Sequence, residues 1–130
     1  MVDIKDFFDK KFTYAIIGAS NNEEKYGFKI YEILKQNNFK VIPINPKEKL
    51  IQGDKCYKSL EDYGDKIDIV DFIVPPKVTF HILESLLKLN IKKVWFQPGS
   101  YDEKCEKFAK KNKIKYIKEF CLYKKMLNKF

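Results

Sequence analysis

The sequence predicts an α/β fold: a Rossmann-like three-layer αβα sandwich around a mostly parallel sheet of five or six strands. Three observations predict it. Thr13 to Ile17 is an unbroken β-favouring run, as expected of a central parallel strand buried on both faces. Similar runs recur at 40–44, 68–74, 92–96 and 115–118, with stretches of helical periodicity between them. The first run breaks at Gly18 into small polar residues that lead directly into a helix, the order of a phosphate-binding turn.

In chain order, Val2, Ile4, Phe7 and Phe8 alternate with charged residues across 1–11, which predicts a short amphipathic helix lying across the sheet. Ile30, Ile33 and Leu34 give 26–37 its helical stripe, ended by Asn37 and Asn38. The second strand, 40–44, stops at Asn45 and Pro46. A short edge strand is expected at 55–57, then a turn or two of helix opened by a capping box from Ser59 to Asp62. Pro75 and Pro76 stop the strand at 68–74. The helix expected at 77–89 carries Val78, Ile82, Leu83, Leu86 and Leu89 on one broad face. Ser100 and Glu103 read as a second capping box for a helix that buries Cys105, Phe108 and Ala109. The tail from Glu119 is expected to fold back as a turn or short helix.

At 130 residues the chain suits one domain, 1–130, with no internal boundary. No stretch is long enough to span a bilayer, and the expectation is a cytoplasmic protein without membrane contact. Cys56, Cys105 and Cys121 are far apart and lack zinc-ligand spacing, so reduced thiols and no metal are expected. The net charge of +8 raises nucleic acid as a partner. All 26 basic residues are lysine, however, and arginine is the side chain shaped for bidentate base reading. Specific nucleic-acid recognition is therefore set aside. A homo-oligomer or protein partner is left open.

Ligands of such sheets bind beyond the carboxyl ends of the strands, near the point where strand order reverses. The candidate ligand residues at that edge are Gly18, Ala19, Ser20 and Lys25 after the first strand and Asn45, Pro46 and Lys47 after the second. Val74, Pro75, Gln97 and Gly99 follow later strands. A dinucleotide fingerprint would place a glycine where Ser20 stands, and the next glycine is only Gly27. An NAD site also wants an acid after the second strand, to hold both ribose hydroxyls. Asn45, Pro46 and Lys47 instead suit a ribose bearing a phosphate, which coenzyme A and NADP share. Gly18→Val is expected to block a ligand phosphate while leaving the domain folded.

No catalytic constellation is visible. His81, the single histidine, falls on the polar face of its helix, where exposure to solvent is the expectation. Cys121, between Lys118 and Lys124, is read as a half-buried cysteine that closes the core.

One family resemblance spans about residues 13–122. It is carried by Ala15 to Asn21, by Val41 to Lys47, by Gly53, Cys56, Tyr57, Ser59 and Leu60, by 68–76, by Val94 to Gly99, and by Cys121 and Leu122. These resemble the small stand-alone CoA-binding domain proteins, similar to the nucleotide-binding part of the succinyl-CoA synthetase α subunit. The resemblance implies coenzyme A or an acyl-CoA held across the Gly18 loop, the Asn45 to Lys47 turn and the Val74, Pro75 turn. It implies no reaction, and so favours a binding module, carrier or sensor over an NADP-dependent oxidoreductase. The sequence departs from the family at Lys25, where many members carry arginine.

Overall fold

The computed structural model describes residues 3–127. Five parallel strands lie side by side in one sheet, in the spatial order β2 (Lys40–Ile44), β1 (Thr13–Ile17), β5 (Ile69–Phe72), β6 (Lys93–Phe96) and β7 (Lys115–Ile117). Two further short strands, β3 (Leu50–Ile51) and β4 (Asp54–Lys55), form a separate hairpin. The chain leaves β1 outward to β2 and then returns to β5 on the other side, so strand order reverses between β1 and β5. The first strand alternates as β geometry demands. Tyr14 and Ile16 face one apolar layer, Ala15 and Ile17 the other, and every residue of the strand is buried.

Helices α1 (Tyr26–Gln36) and α4 (Leu122–Leu127) cover the Tyr14 face through Ile30, Tyr31, Leu34, Leu122 and Met126. Helices α2 (Pro76–Lys88) and α3 (Glu103–Lys111) cover the opposite face through Leu83, Leu86, Cys105 and Ala109. This is the three-layer sandwich expected from the sequence.

The smaller elements depart from expectation. The amphipathic start is a single 3-10 turn, Ile4–Phe7, capped by Asp3, whose Oδ1 accepts from the Lys5 amide at 2.9 Å; Met1 and Val2 lie outside the described residues. Phe7 packs edge-on to Trp95, and the Tyr14 hydroxyl donates to its carbonyl. The expected edge strand at 55–57 divides in two. Lys55 ends β4, which pairs antiparallel with β3, while Tyr57 forms a parallel bridge to Ile44. Gln52 and Gly53, both with positive φ, supply the two-residue turn of that hairpin.

The hairpin is strapped to α1: Tyr31 and Lys35 both donate to Asp54, and Gln52 Nε2 donates to the Phe28 carbonyl at 3.1 Å. Its position fixes the end of the segment that carries Lys47, where Cys56 N donates to the Lys49 carbonyl at 2.9 Å. Helix α3 is capped by Asp102, whose Oδ1 accepts from the Cys105 amide at 3.1 Å. The expected Ser100 to Glu103 box does not form because Ser100 is buried and its hydroxyl donates to the Gln97 carbonyl at 2.7 Å.

Candidate functional site

The reversal point opens into a cleft of about 840 Å³. Gly18 to Ser20 and Glu24 to Gly27 form one wall. Asn45, Pro46 and Lys47 form a second, with Lys58 to Glu61 beside it. Ile73, Val74, Pro75, Val78, Ile82 and Ser85 close the third. All the sequence candidates meet there except Gln97 and Gly99.

The loops are locked to each other by backbone contacts. Ile73 N donates to the Ile17 carbonyl at 2.9 Å, and Gly18 N to the Ile44 carbonyl at 3.2 Å. Gly18 has φ +101°, and a Cβ there would stand 2.7 Å from the Ile73 carbonyl oxygen. A side chain at 18 thus collides with the β5 loop and with its own backbone conformation. The expectation that Gly18→Val leaves the fold intact is corrected accordingly: the substitution strains the frame of the cleft as well as its interior.

Asn45 joins two walls. Its Nδ2 donates to the Ala19 carbonyl at 2.9 Å, and its Oδ1 accepts from the Lys47 amide at 2.9 Å. The second bond is an Asx turn that bends the chain back after Pro46. Asn21 reaches the hairpin in the same way, donating to the Leu50 carbonyl and accepting from Gln52 N, both at 2.9 Å.

Helix α1 begins at Tyr26 with Lys25 as its N-cap residue and no side-chain cap, and Tyr26 and Gly27 of its first turn line the cleft. The positive end of the helix and the Lys25 ammonium together favour an anion at this wall. No protein acceptor among the described residues meets the amides of Ala19 and Ser20. The third wall is largely apolar, with Val74, Val78 and Ile82 in its lining. This explains why Val78, expected in the core, is 42 % exposed, whereas Thr79, Leu83 and Leu86 make the buried face of α2. Leu89, also expected on that face, lies just beyond the helix and is 37 % exposed.

Gln97 lies elsewhere. It extends β6 on the Trp95 side of the sheet, where Nε2 donates to Asp71 Oδ1 at 2.7 Å and Oε1 accepts from Leu122 N at 3.0 Å. It holds the start of α4, assisted by Trp95 Nε1, which donates to the Phe120 carbonyl at 2.8 Å. Asp71 is wholly buried, and burial pushes its carboxyl up to about 8. Gly99, with φ +85°, serves the turn before α3, and a Cβ there would meet nothing within 4 Å.

His81 is exposed on α2, as expected, and Cys121 is half-buried at the start of α4. Cys105 is fully buried, and burial pushes its thiol up to about 11. Among the described residues no group of three His, Cys, Asp or Glu side chains is placed to hold a metal, and no helix is long and apolar enough to cross a membrane. Lys58, Glu61 and Ser85 line the cleft without having been singled out as ligand residues from the sequence. The signal for Lys58 was the return of the chain from the hairpin to the end of β2, which only the Ile44 to Tyr57 bridge makes visible.

A parallel, doubly wound sheet with a loop-lined cleft at its reversal point defines the Rossmann-like class of α/β domains. Residues 12–126 match the CoA binding domain family, and the chain belongs to it. It is 40 % identical over 116 residues to an acetate–CoA ligase (ADP-forming) of Methanocaldococcus jannaschii, covering 83 % of this chain and 16 % of that one. It is 30 % identical over 109 residues to the α subunit of acetate–CoA ligase (ADP-forming) II of Pyrococcus furiosus, covering 83 % of this chain and 24 % of that one. The chain therefore spans less than a quarter of the length of these relatives. Among solved structures, a conserved hypothetical protein from P. furiosus superposes with a TM-score of 0.83 at 35 % identity, covering 88 % of this chain and 98 % of that one.

Proposed function

We propose that this chain binds coenzyme A or an acyl-CoA through its phosphorylated ADP portion and acts as a binding module, carrier or sensor. The observation that carries this reading is the distribution of charge in the cleft. An uncapped helix start with Lys25 stands at one wall and Lys47 at another, with an apolar wall of Val74, Val78 and Ile82 facing them. The first suits a diphosphate, the second a ribose phosphate, and the third the flat face of adenine. Family membership supports the same ligand.

The titratable side chains of the cleft are Glu24, Lys25, Tyr26, Lys47, Lys58 and Glu61, with neither histidine nor cysteine among them. Ser85 Oγ donates to Glu61 Oε2 at 2.9 Å within this lining, but among the described residues no third group orients that pair, which favours holding over chemistry. We assign to this chain only the ligand-holding part of what its longer relatives do. NADP, the alternative nucleotide with a phosphorylated ribose, has nothing beyond that shared phosphate in its favour.

A thermal-shift panel of coenzyme A, acetyl-CoA, NAD and NADP tests the proposal, because a ligand that binds only the folded chain raises Tm. Stabilisation by the two CoA species is the expected result. Stabilisation by NADP alone would overturn it.

A further inference from the structure

We propose that Lys58 is a second phosphate-binding residue of the cleft and shares the ribose phosphate of the bound nucleotide with Lys47. The proposal rests on the coenzyme A reading above and names a residue that the reading does not need.

Three observations carry it. The chain after the hairpin runs alongside the end of β2: Asn45 N donates to the Tyr57 carbonyl at 2.9 Å, and Tyr57 N to the Pro43 carbonyl at 3.0 Å. Continuing that parallel register by one residue sets Lys58 next to Asn45, on a backbone row about 4.8 Å away. The Asx turn at Asn45 fixes the backbone at Lys47, two residues beyond the same point of β2, and both lysines, from separate segments, line the cleft. Finally, neither ammonium forms an ion pair among the described residues, while Glu61, the carboxylate on this rim, accepts from Ser85 Oγ at 2.9 Å and is thereby held toward α2.

Charge balance then sets the assignment. A phosphate monoester carries about −1.5 to −2 at neutral pH. One lysine leaves it half-neutralised; two match it. Lys25 and the positive end of α1 lie at the other wall, where they meet a diphosphate, and are not free to serve the ribose end.

The test is calorimetric titration of coenzyme A and dephospho-CoA into wild type, Lys58→Gln, Lys58→Arg and the double variant Lys47→Ala with Lys58→Gln. The expected results are that Lys58→Gln weakens coenzyme A about tenfold, leaves dephospho-CoA within about twofold, and that Lys58→Arg restores most of the loss. The double variant should bind both ligands alike. If Lys58→Gln weakens the two ligands equally, or neither, Lys58 reads no ribose phosphate, while the coenzyme A reading stands on the wild-type titration. If wild type binds no coenzyme A, the functional reading itself falls, and the assignment of Lys58 falls with it.

Discussion

Gly27 rests its backbone directly on the carbonyl of Gly18: a Cβ at position 27 would lie 2.1 Å from that oxygen. The start of α1 can approach the loop after β1 this closely only because residue 27 has no side chain. Gly27→Ala should therefore destabilise the protein by about 1 to 3 kcal/mol, as overpacking does. Helix propensity alone would favour alanine by about 1 kcal/mol, so the sign of the change in urea unfolding separates the two effects. A stabilised variant would show that α1 can shift without cost.

Asp71 makes stability depend on pH. Its carboxyl is held at about 8 by burial, against an ordinary value near 3.9 in the unfolded chain. Between those two values the folded state keeps a proton that the unfolded state has lost. Stability therefore falls as pH rises from about 4 to about 8, by up to about 1.4 kcal/mol per pH unit for one proton. Asp71→Asn keeps an acceptor for Gln97 and removes the titration. Urea midpoints measured across that range should slope less in the variant than in wild type, and an unchanged slope would locate the dependence in another group.

The layering and the parallel strands were legible because buried parallel strands write themselves as apolar runs, as β1, β2, β5 and β6 do, whereas the spatial order of the strands is set by their pairing. The cleft was legible in part, since Gly18, Asn45, Lys47 and Pro75 stand where such strands end. Gln97 also follows a strand, but β6 is not one of the two strands at the reversal point, and side-chain alternation turns Gln97 toward Asp71 and α4. Helical spacing put Val78 and Ile82 with the core residues of α2, because the periodicity of an apolar face is the same whether protein or ligand covers it. Ser100 satisfies the capping-box pattern in the sequence, but its buried hydroxyl is spent on the Gln97 carbonyl, and Asp102 caps α3 instead.

Lys47→Ala should weaken coenzyme A about tenfold to a hundredfold, the loss of one charge-assisted contact worth roughly 1.5 to 3 kcal/mol. Dephospho-CoA should bind wild type and variant almost equally. Titration calorimetry with both ligands reads the difference. Equal weakening of the two would remove Lys47 from the ribose phosphate.

Asn45 should behave in the opposite way, although it stands only two residues from Lys47. Its side chain ties the Ala19 carbonyl to the Lys47 amide, so it shapes two walls of the cleft and carries no charge to a phosphate. Asn45→Ala leaves the Ala19 carbonyl and the Lys47 amide without these bonds, at a cost to stability of about 1 to 2 kcal/mol. The loops then separate, and every ligand that spans them suffers. Dephospho-CoA should weaken in Asn45→Ala, whereas Lys47→Ala spares it, and coenzyme A should weaken further because the lost turn also releases Lys47. Asn45→Asp keeps the acceptor for the Lys47 amide and loses the donor to Ala19, so it should recover part of the stability. Undiminished binding of dephospho-CoA in Asn45→Ala would mean that the bond to Ala19 does not hold the two walls together and that Asn45 acts only through Lys47.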